Sequence, residues 1–155
     1  MKTLQNHILK YGLLTTAGLI VFFLMMRITG LAEITELRSL NAVIMFAGVF
    51  LCIKHFKHNK LDTSFGYLSG IATGFFTGIV VAISFSVFVG IYVALDPVFL
   101  AAIVTDNAQK EFLNPWTSAM VIFIEAMASG MLFSYISMQY LKTDVVSSVT
   151  VNKDN

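Results

Sequence analysis

The chain has 155 residues and a net charge of +1; 57% of it is hydrophobic and only 12% charged. A soluble domain is about 25% charged, so this composition excludes an ordinary water-facing surface and points to a membrane. The few basic residues exclude nucleic-acid binding, and a single cysteine excludes an intramolecular disulfide.

A helix needs about 20 apolar residues to cross the hydrocarbon core of a bilayer. The first such block runs from Tyr11 to Ile28. It exceeds the apolar stretch of about 7–15 residues in a secretory leader, so it reads as an anchor rather than a cleaved segment. A short loop, Thr29 to Glu36, leads to the second and shortest block, Leu37 to Ile53, in which Cys52 reads as a space-filling residue. The connection that follows, KHFKHNKLDTS, is the most basic stretch of the chain. Its Lys54, Lys57 and Lys60 form a collar suited to anionic lipid headgroups. His55 and His58 share a helix face, but no Asp, Glu or Cys lies at ligand spacing, so neither a metal site nor a cofactor is expected. Asp62, Thr63 or Ser64 is expected to cap the third span.

The third block, Phe65 to Leu95, spans roughly 46 Å as helix and exceeds a hydrocarbon core. It should stop at Asp96-Pro97, because proline disfavours helical geometry in the preceding residue. Residues 97–113 combine an apolar start with a polar run and read as a short helix at the membrane interface. Asn114-Pro115-Trp116 opens the fourth block, Thr117 to Leu141, with Asn as cap, Pro in the first turn and Trp at headgroup level. The remainder, 142–155, reads as a loose cytoplasmic tail.

The expected fold is therefore all-α: one transmembrane domain, an integral membrane four-helix bundle with spans at 11–28, 37–53, 65–95 and 117–141. Charge supports an even number of spans. Lys2, Lys10, Lys54, Lys57, Lys60, Lys142 and Lys153 fall on the side of the termini, against Arg27, Arg38 and Lys110 on the other. By the positive-inside rule both termini are cytoplasmic.

The third span carries a small residue at every fourth position: Gly66, Gly70, Gly74, Gly78, Ala82, Ser86 and Gly90. Helices in lipid gain little from hiding apolar surface and associate through close contact, which small residues permit. Ala126, Gly130 and Ser134 form a matching short row on the fourth span. Each four-residue step overshoots a full turn by about 40°, so the row drifts around its helix. The expectation is that its inner half meets one neighbour and its outer half another. The row serves packing within the bundle or, on a second reading, a homodimer or a docking face for another membrane subunit.

Glu125 is the one ionisable residue deep in a span, and such residues face a bundle interior or water and suggest function. Ser118 and Ser129 share its side of the helix, with Ser84, Ser86 and Asn41 available on other spans. This set reads either as a proton- or cation-binding site in a transport path or as a buried structural carboxyl bonded to serines. Nothing matches a nucleophile elbow, a phosphate loop or a dinucleotide fingerprint, and no catalytic residue is nominated.

The order of features, with SFGYLSGIATG opening a glycine-rich span that closes at Tyr92-Val-Ala-Leu-Asp96-Pro97-Val-Phe99, resembles an uncharacterised family of four-span bacterial inner-membrane proteins. The resemblance covers about Lys10 to Leu141. It implies bacterial origin and four spans, and it transfers no catalytic residues. The functional expectation is a small, non-enzymatic interaction or accessory subunit surrounded by lipid, a homo-oligomer or bound to another membrane subunit. The alternative is a transporter or channel subunit that uses Glu125.

Overall fold

In a computed structural model of the chain, residues 2–30, 35–59, 66–96 and 114–151 are described, with side-chain surroundings for most of them up to residue 141. They form four helices and, among the described residues, no strand: α1 (Lys2–Ile28), α2 (Thr35–Asn59), α3 (Tyr67–Leu95) and α4 (Pro115–Val151). Each contains a stretch long and apolar enough to cross a membrane: Leu4–Ile28, Ser39–His58, Tyr67–Leu95 and Pro115–Leu141. The chain is an all-α, multi-pass integral membrane protein.

The helices outrun the apolar blocks that announce them. α1 starts at Lys2 rather than Tyr11, and α2 runs on through the basic collar to Asn59. Instead of a loose tail from Lys142, the backbone stays helical to Val151. Apolar composition marks what lipid will accept, whereas helix ends need a breaker, and Lys2–Lys10, Lys54–Asn59 and Lys142–Val151 hold neither Gly nor Pro. The interfacial helix expected at 97–113 lies outside the described residues.

Where breakers exist, the ends follow them. Past α1, Gly30 takes a φ of +72°, the left-handed turn that glycine adopts freely, and its N–H donates to the Arg27 carbonyl. α3 closes where the Asp96 N–H donates to Tyr92 O at 3.0 Å. α4 opens with a reciprocal cap: Thr117 N–H donates to Asn114 Oδ1, and Asn114 N–H to Thr117 Oγ1, both at 2.9 Å. α3 differs from expectation. Its cap position is Gly66, extended and without a side-chain cap bond, so none of Asp62, Thr63 and Ser64 occupies it.

α3 is the hub, packed against all three other helices and most extensively against α4. α1 and α4 flank it and barely touch each other. One core cluster joins Leu19, Met45, Val81, Phe85, Val89 and Val93; a second, nearer the termini, joins Val49, Ile53, Met138 and Leu141. Phe23 meets Phe88 and Tyr92 edge-on at 5.9 and 5.1 Å, which ties α1 to the outer half of α3.

Candidate functional site: the polar and small residues inside the bundle

The small-residue row brings α3 and α4 together. A Cβ built on Gly78 would lie 2.8 Å from Gly130 Cα, closer than real Cβ atoms come, and the same holds in reverse. One turn toward the termini, a Cβ on Gly74 would meet Ser134 Oγ at 2.5 Å and Ile53 Cδ1 at 2.7 Å. At the other end of the row, a Cβ on Gly90 would lie 3.1 Å from Ala119 Cβ. Ala82 and Ser86 are buried between these points, Gly70 is buried one turn beyond Gly74, and Ala126 packs on the core cluster around Val81. Gly66 is exposed, with open space where its Cβ would be.

A single antiparallel helix therefore follows the row from Gly74 to Gly90, where two successive neighbours are expected from the drift. Contacts with α4 recur in both halves of the row, and α1 and α2 fill the flanks it leaves. Gly12 of α1 abuts Val80, and Cys52 of α2 meets Thr77 with Sγ and Oγ1 3.2 Å apart.

The interior threonines are satisfied locally, whereas the buried Ser137 Oγ has no hydrogen-bond partner. Thr73, Thr77, Thr15 and Thr16 each donate to the carbonyl four residues back, at 2.8 to 2.9 Å. Ser134 instead donates across the seam to Ile71 O at 2.7 Å. In lipid this bond has no water to compete with it.

The polar residues grouped around Glu125 do not converge. Glu125 is exposed on the outer flank of α4, not turned into the bundle. The reason is angular: Ala126, Gly130 and Ser134 occupy the face toward α3, and position 125 lies about 100° from position 126. Ser129 is half-buried beside it, whereas Ser118 is buried and its Oγ has no hydrogen-bond partner. On α3, Ser84 is half-buried and Ser86 bonds its own helix at Ile83 O, 3.1 Å. Asn41 on α2 is half-buried, with a buried Oδ1 that has no partner.

Two polar groupings emerge that sequence reading missed. Beyond the outer core cluster, Arg27 Nη2 donates to Asp96 Oδ2 at 2.8 Å and Arg27 Nε to the Tyr92 hydroxyl at 3.2 Å, latching α1 to α3. The signal for it is topological: α1 and α3 run the same way, so their terminal charges arrive at one level. At the opposite end, His7 of α1 sits among Tyr11, His55 and Phe56, with ring centroids 4.7, 5.7 and 6.0 Å away. The collar divides in consequence. Lys54 is exposed, Lys57 is half-buried with Nζ donating to Leu141 O at 3.0 Å, and Lys60 lies outside the described residues. Lys57 thus contacts α4.

Comparison with known protein families, with characterised proteins and with solved structures finds no match to this chain.

Proposed function

We propose that this protein is a non-enzymatic interaction subunit of a membrane, and that it engages its partner through the flank of α4 that carries Glu125. The carrying observation is the exposure of that carboxyl. An ionisable group within a span is costly in lipid and marks a functional position. Its position outside the seam makes it accessible to a second membrane helix. The interior supports the same reading, because its small residues are committed to packing and its threonines to carbonyls of the bundle.

The excess of lysine on the side of the termini supports a cytoplasmic location for both ends and, with the family resemblance, a bacterial inner membrane. The second reading, a transporter or channel subunit, draws on the same exposure. Copies assembled through α4 would enclose Glu125 between them, so the conducting unit would be an oligomer.

Cross-linking in native membranes tests the proposal. The wild type is expected to yield one defined adduct, with Glu125→Leu losing it while remaining folded. Unchanged adduct formation in the variant would refute the role of this flank. Proton-coupled flux through reconstituted oligomers, abolished by Glu125→Gln, would favour the transport reading instead.

A further inference from the structure

Where α1 begins and the apolar part of α2 ends, imidazoles from two helices stack. The His7 and His55 centroids are 5.7 Å apart and their planes 18° from parallel. Tyr11 leans on both rings, at 4.7 and 5.8 Å. His7 is half-buried, and its ring neighbour His55 is exposed, as are Lys10 on the turn after His7 and Lys54 next to His55 in sequence. The apolar stretches of α1 and α2 end at Leu4 and His58, so His7 and His55 each lie about one turn inside these edges and Tyr11 about two, near headgroup depth.

The chemistry of His7 is constrained. Its Nε2 is 3.2 Å from Cys52 O, and a carbonyl only accepts, so Nε2 carries hydrogen and Nδ1 is the atom that gains or loses the proton. A protonated His7 would face a stacked second imidazole among lysines. Neither α1, which contains no Asp or Glu, nor α2, which has none after Glu36, supplies a carboxylate to balance it, and Asp62 of the following connection lies outside the described residues. Between Tyr67 and Tyr92, α3 has no ionisable side chain. On α4 the ionisable residues toward this end are Tyr135 and Tyr140, followed by Lys142 and Asp144, whose side chains are outside the described set. Lys57 is bonded to Leu141 O. Stacked rings turn their faces to each other rather than their nitrogens, which suits an anion at the ring edges better than a shared metal ion.

We propose that His7 and His55, with Lys10, Tyr11 and Lys54, form a binding site for the phosphate of an anionic lipid, and that the site tightens on acidification. Phosphate oxygens accept from ammonium, imidazolium and phenol donors. In neutral His7 the single N–H is already given to Cys52; protonation adds an Nδ1–H donor and a charge. The anion relieves repulsion between the two rings, so proton uptake and phosphate binding favour each other. The site rests on the membrane reading of the four helices and shares no residue with the Glu125 flank, so either proposal can fail without the other.

The test is an NMR titration of the histidine ring protons across pH 5 to 8, where histidine changes charge. The full chain is placed in phosphatidylcholine nanodiscs with and without phosphatidylglycerol. His58 reports the general effect of an anionic surface. The site predicts a larger upward shift for His7 and His55 than for His58, and the excess is lost in the exposed-position variants Lys54→Gln and His55→Gln. Equal shifts of all three histidines, or no shift, would overturn it. So would an excess that inorganic phosphate reproduces in neutral discs, because the ligand would then be free phosphate rather than lipid.

Discussion

Gly78 and Gly130 meet backbone to backbone, so that a methyl group on either would intrude to 2.8 Å of the other's Cα. This contact sets the separation of α3 and α4, and the seam on either side of it depends on that separation.

Gly78→Ala and Gly130→Ala are each expected to destabilise the bundle by about 1–3 kcal/mol, the usual cost of overpacking against atoms that cannot move aside. Gly66→Ala, facing open space at the extended cap position of α3, should cost less, about 0.5 kcal/mol, through the weaker capping preference of Ala. Thermal unfolding of the three variants in one detergent gives the ranking. Equal effects at positions 66 and 78 would contradict the seam.

Arg27 and Asp96 form a 2.8 Å ion pair whose side chains keep 28% and 26% of their exposure. Partial solvation weakens such a pair, and a double-mutant cycle with Arg27→Met and Asp96→Asn should return a coupling of about 0.5–1 kcal/mol. The coupling should fall as salt rises. A coupling near zero at low salt would mean that the latch adds no stability.

Cys52 is fully buried, with its thiol against Thr77. In the folded protein a membrane-permeant maleimide should label it far more slowly than after denaturation in sodium dodecyl sulfate, as followed by intact mass. Rapid labelling in the native state would place α2 wrongly against α3.

Glu125→Leu is expected to change the unfolding midpoint of the isolated chain little, because the position lies on the outer flank of α4 and truncation there opens no internal cavity. A strong destabilisation, of the size seen at Gly78, would return Glu125 to the interior.

Four spans were legible because apolar length is a property of the chain itself, and the α3 terminus because Asp96-Pro97 breaks a helix locally. The direction in which Glu125 faces was also encoded. The row Ala126, Gly130 and Ser134 and the carboxyl at 125 cannot both point at α3, and the small residues hold that face by close contact. Hidden from the sequence were the contact of α4 with both halves of the row, the Arg27–Asp96 latch and the stacking of His7 on His55. Each depends on how far helices distant in the chain slide along one another, a quantity set by packing.

The most direct measurement is disulfide formation between cysteines placed at Gly90 and Ala119 in a Cys52→Ala background. The Cβ positions lie 3.1 Å apart, and neighbouring β-carbons in a disulfide are about 3.5–4.5 Å apart, so a small adjustment suffices. The account predicts rapid intramolecular cross-linking in membranes, with the pair Gly66→Cys and Ala119→Cys staying reduced. Failure of the first pair to close, or closure only between separate chains, would contradict the α3–α4 seam.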